Sequence, residues 1–91
     1  MNRRYKDAAA VFGELAVQKV LSNLEEARAH ALKYAHEASQ VLSNLAEHAS
    51  DIRALVAIGQ SLNEPMRQAV IFYMLGYGGQ ELKRQGFYES R

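Results

Sequence analysis

The sequence predicts an all-α fold: a long heptad-patterned helix plus short C-terminal helices, in a helical bundle completed by homodimerisation. Three observations predict it. Apolar side chains recur at alternating steps of three and four residues from Val17 to Leu55, the spacing that puts them on one stripe of a helix. No Gly or Pro lies between Glu14 and Ile58, and that stretch is rich in the good helix formers Ala, Leu, Glu and Lys. The run Val20-Leu21-Ser22-Asn23-Leu24 returns unchanged as Val41-Leu42-Ser43-Asn44-Leu45, three heptads later. The repeat reads as one heptad solution used twice, since two copies are too few for a solenoid.

Residues 1–6 carry Arg3, Arg4 and Lys6 ahead of a helix start near Asp7. Cations oppose the macrodipole at a helix N-terminus, so these residues read as a basic flexible tail. The long helix is expected over about 7–49. Its seam is Val17, Val20, Leu24, Ala27, Ala31, Tyr34, Ala38, Val41, Leu45, His48, Ile52 and Leu55, and all but His48 are apolar or aromatic. A second row, Leu21, Ala35, Leu42, Ala49 and Val56, widens the stripe. Lys19, Glu26, Lys33, Gln40 and Glu47 make the opposite face polar. The small residues from Ala27 to Ala38 form a shallow groove, a receptor for Phe72 or Tyr73. Ser22 with Glu25 fits a capping box, a site where the long helix breaks in two if the cap is used.

Ser50 as an N-cap with Asp51 in the first turn relieves the like-charge pair of Glu47 and Asp51, so a further helix is expected at about 51–60. Asn63-Glu64-Pro65 opens the next, at about 64–76, with Asn63 as cap and Pro where its missing N–H does no harm. The run from Ala69 to Leu75 is apolar on every side, and a helix of that kind must be covered on several faces. It belongs in the centre of the assembly. Gly76-Tyr77-Gly78-Gly79 ends it and begins the aromatic segment 77–91, which contains Phe87 and Tyr88.

The homodimer follows from length. A helix across the seam would be about 60 Å long, and the residues from Asn63 onward are too few to shield it. The dimer seam is then Val17, Val20, Leu24, Ala27, Ala31, Tyr34, Ala38, Val41, Leu45, Ile52 and Leu55.

Composition narrows the function. The 91 residues suit one domain, and the chain has no Cys, so neither disulfides nor a Cys-based zinc site is available. The run Ala69–Leu75 is too short to span a membrane, and no signal-peptide core is present near the N-terminus, so a cytoplasmic location is expected. The net charge is +1, without the basic face of a duplex-DNA binder. Glu26, His30, Lys33 and Glu37 share a helical face, but the Glu-x-x-His pattern of carboxylate-bridged metal bundles is absent. They read as a solvated, ion-paired face. No Walker, nucleophile-elbow or zinc-protease motif occurs. No catalytic residue, metal site or cofactor is expected.

What remains is a small non-enzymatic regulator that binds another protein, of the anti-activator, adaptor or chaperone type. Such regulators are common in bacteria and phages, and a transcription regulator or a secretion component is the kind of partner expected. Aromatic residues and Met are favoured at interfaces, so the expected contact residues are Phe72, Tyr73, Leu75, Tyr77, Leu82, Phe87 and Tyr88. The alternative is a nucleic-acid-binding transcriptional regulator, a helical dimer that uses the basic tails with Arg3, Arg4, Lys6, Lys83 and Arg84.

Overall fold

A computed structural model describes residues 3–77 of the chain. The described residues form six helices and no strand: α1 Arg3–Phe12, α2 Glu14–Ser22, α3 Leu24–Lys33, α4 Ala35–Glu47, α5 Ile52–Gln60 and α6 Glu64–Met74. The fold is all-α, as the periodicity implies. The body measures 31 × 29 × 27 Å. A straight helix of about 60 Å does not fit inside it.

The expected long helix is instead four helices, α1 to α4, bent at Gly13, Asn23 and Tyr34. Each bend has a local origin. Gly13 takes φ +91°, a backbone state open to Gly and costly for residues with a Cβ. At the second bend the Asn23 side chain accepts the Glu26 N–H at 3.2 Å, and its amide donates to Glu26 Oε1 at 3.3 Å. The first bond is that of an N-cap, one residue later than the Ser22–Glu25 register. The second joins the two side chains, while the Asn23 backbone N–H donates to the Val20 carbonyl, so the reciprocal bond of a capping box is not made. Ser22 turns back to donate to the Lys19 carbonyl at 2.9 Å. At the third bend Tyr34 leaves helical geometry, with φ −112° and ψ 30°.

The N-terminal residues 3–6 are helical rather than a tail. Tyr5, Ala8, Val11 and Phe12 give α1 its own apolar stripe, and all four pack in the core cluster. Tyr5 also accepts a hydrogen bond from Gln18 of α2 at 2.7 Å. Between α4 and α5 the cap is Asp51, not Ser50: its carboxylate accepts the Ala54 N–H at 3.3 Å. Asp serves as well as Ser in this role. Asn63 caps α6 as its sequence indicates, accepting the Met66 N–H at 3.0 Å.

α6 is the centre of the fold. Ala69, Val70 and Ile71 have no exposed surface, and Phe72 and Tyr73 are buried. The bent ribbon α1–α4 wraps around it, with α3 its main neighbour. Ala27, Ala31, Ala35 and Ala38 are all buried, so the small-residue groove lets the α6 backbone approach closely. The Tyr73 hydroxyl donates to the Ala31 carbonyl at 2.5 Å. Ala31 lies in the last turn of α3, where carbonyls lack intrahelical partners. The break at Tyr34 and the Tyr73 bond thus support each other.

The two ends of α6 are secured differently. Glu64 receives Lys19 of α2 at 2.9 Å, Arg67 at 2.8 Å and the buried Gln68 amide at 3.0 Å. At the other end Gly76 takes φ +94°, its N–H donates to Tyr73 O, and the Tyr77 N–H donates to Phe72 O. Those two bonds make a Schellman cap, and the Phe72 and Tyr77 rings supply its apolar contact at 5.6 Å.

Candidate functional site

The core leaves one helix poorly covered. α5 carries Ile52, Leu55, Val56 and Ile58, yet its only buried residue is Gly59. Gly59 is where α5 crosses α1. A Cβ there would lie 3.1 Å from Val11 Cγ1 and 3.2 Å from the Val11 carbonyl oxygen. This close crossing holds α5 against α1 at its C-terminal end. At its N-terminal end Ile52 stands 54% exposed.

Between the two helices and α4 runs an apolar groove of about 490 Å³. α1 lines it with Asp7, Ala10 and Val11, a spacing of three and four that shares one helical face. Leu42, Leu45, Ala46 and Ala49 form the α4 wall, Ile52 and Leu55 the α5 wall, and Met74 closes one end. The volume matches small-molecule pockets, but such sites add convergent polar groups that orient the ligand. Here Asp7 is the one ionisable residue in the lining. The groove is suited to apolar side chains offered by a ridge.

The sequence-expected contact residues are divided by the fold. Phe72 and Tyr73 are 3% and 6% exposed and occupy the core instead of the surface. The reason is the alanine cradle, which receives them within one chain. Leu75 is half-buried, and Tyr77 is 49% exposed beside the Schellman cap. Leu82, Phe87 and Tyr88 lie outside the described residues, as do Lys83 and Arg84.

The heptad seam also closes within the chain. Val17, Val20, Ala27, Ala31, Ala38 and Leu45 are buried, while Leu24, Tyr34, Val41 and Leu55 are half-buried. Its burial does not require a second copy, because the bends fold it around α6. Ile52 alone is left exposed, and with Leu45 and Leu55 it belongs to the groove. Leu42 and Ala49 of the lining belong to the second row, and Ala46 lies off the stripe on α4. Asp7, Ala10, Val11 and Met74 carry no heptad signal, since they come from helices outside the seam.

The polar features have structural roles. His48 Nδ1–H donates to the Asn44 carbonyl at 2.9 Å and closes the last turn of α4. His30 lies 3.6 Å from Glu26, and Lys33 sits 5.4 Å from the Tyr34 ring centroid. No group of three or more metal-ligating side chains occurs among the described residues, and none of their helices is long and apolar enough to cross a membrane. Arg4 of the basic N-terminus lies over Gly76 at the C-terminal end of α6, a favourable place for a cation. No protein-family model, curated protein or solved structure matches this chain.

Proposed function

We propose that this chain is a non-enzymatic helical regulator that acts by binding another protein, as an anti-activator, adaptor or chaperone does. The α1–α4–α5 groove is its contact surface. The partner element is an amphipathic helix that lays its apolar ridge between Leu42, Leu45, Ile52 and Leu55. This is the helix-in-groove mode.

One observation carries the reading: the apolar helix α5 buries only Gly59 and leaves Ile52 exposed at the rim of an apolar groove. Alanines at positions 10, 46 and 49 keep the floor shallow enough for a helix backbone to approach. A partner ridge laid over the groove would cover Ile52 and remove it from water, which is the condition under which an apolar side chain anchors an interface.

The test is substitution at the rim. Ile52→Asp removes the anchor and places a charge in the groove, while its exposure makes folding insensitive to it. Partner affinity is expected to fall by about 2 kcal/mol or more, the range of interface anchors, with the melting temperature unchanged. Partner binding that survives both Ile52→Asp and Ala46→Glu removes the groove from the interface.

A further inference from the structure

We propose that two copies of this chain pair through a second groove, between α1, α2 and α5, the Leu15 side chain of each seated in the groove of the other. Leu15 is 88% exposed, the most exposed of the large apolar side chains among the described residues. A single exposed leucine is ordinary. This one stands at the mouth of a second groove, of about 570 Å³, whose walls include Ala9, Phe12, Ala16, Val56 and Gln60. Gly13, at φ +91°, sets the turn that precedes Leu15, and a Cβ built at Gly13 would meet no atom within 4 Å. Knob and hole thus occupy one face.

A face that carries both halves of a contact is self-complementary, which is what a two-fold interface requires. The charges agree. Glu14 precedes Leu15 at the start of α2, and Arg53 stands one turn before the groove on α5, three and seven residues ahead of Val56 and Gln60 and so on their helical face. Both are exposed, and neither has an ion-pair partner among the described residues. In the proposed pair the two-fold rotation sets Glu14 of each copy towards Arg53 of the other. Arg67, also in this groove, is already held by Glu64 and the Leu62 carbonyl. The occupant is therefore a second copy, since the chain itself supplies the apolar knob, the cavity and the opposite charges. The proposed interface adjoins the α1–α4–α5 groove, since Ala10 and Val11 line both.

Sedimentation equilibrium of the full chain tests this. The mass is expected to rise with concentration from 10.2 kDa towards twice that value. Leu15→Glu is expected to weaken association at least about tenfold, as loss of a central anchor does, with helical circular dichroism unchanged. Leu15→Ser, which adds no charge, tells loss of the knob from charge repulsion and is expected to weaken association as well. Glu14→Arg is expected to weaken pairing and Glu14→Arg with Arg53→Glu to restore it. A monomer mass at every concentration up to about 0.5 mM, weaker than the ordinary range of specific association, overturns the proposal. So does a dimer indifferent to both Leu15 substitutions, or a double charge variant that pairs no better than the single one.

Discussion

At the scale of single residues, a few side chains decide how the bent ribbon meets its central helix. Tyr73 is the clearest. Its hydroxyl satisfies a carbonyl that the break at Tyr34 leaves at the end of α3, in a buried place. Tyr73→Phe keeps the ring and strands that carbonyl, so a loss of about 1–3 kcal/mol is expected, measured by urea unfolding. Glu64 acts through charge. Hydrogen bonds from Lys19 and then Gln68, with the nearby Lys19 and Arg67 charges, hold its carboxyl below the ordinary value of 4.5, against a smaller opposing effect of burial. A depressed carboxylate pKa stabilises the fold above the unfolded-state value, and that contribution is lost as pH falls through the folded-state value. The wild-type melting temperature should therefore drop more steeply below about pH 4.5 than that of Glu64→Gln. Equal slopes would contradict the role given to Glu64. Asn63 and Pro65 were legible because their chemistry is local. The alanine groove was legible as the receptor of Tyr73, but its bond to the Ala31 carbonyl and the ion pair of Glu64 with Lys19 were not, since each joins helices distant in sequence.

At the scale of elements, the bends and the helix crossings carry the argument. Gly13 and Gly59 serve different ends: the first supplies a positive φ, the second a close approach of α5 to α1. Gly13→Ala is expected to destabilise by about 1 kcal/mol through backbone strain. Gly59→Ala must push α5 away from the Val11 carbonyl, which alters the groove as well as the stability. A Gly59→Ala chain with unchanged melting temperature and partner affinity would show that α5 is held elsewhere. The apolar stripes of these helices were legible from spacing, but their ends were less so. Ser22 and Asn23, like Ser50 and Asp51, are adjacent residues that both cap well. Composition does not choose between such neighbours, and tertiary packing does. The heptad hid the bends because helices on either side of a short break keep the same stripe pointed at α6.

At the scale of the whole molecule, the bends convert a seam that would extend about 60 Å into a cradle within a 31 Å body. The all-α class and the central place of the apolar helix were legible in Ala69–Leu75 and in the alanine run. A seam dimer follows from length only for a straight rod, and the breaks at Gly13, Asn23 and Tyr34 bend the rod. Ile71, fully buried where the ribbon meets α6, should lose about 2–5 kcal/mol on truncation to Ala, measured by denaturant titration. What the fold leaves uncovered is α5, and the proposed function rests on it. The most direct measurement is photo-crosslinking in the source cell from a probe installed at position 52, beside a control probe at exposed Glu37. A single protein joined at position 52 and absent from the control, its adduct lost when Ala46→Glu is introduced with the fold intact, is the expected result. A position-52 probe that joins no protein, or the same set as the control, would contradict the groove as a protein-binding surface.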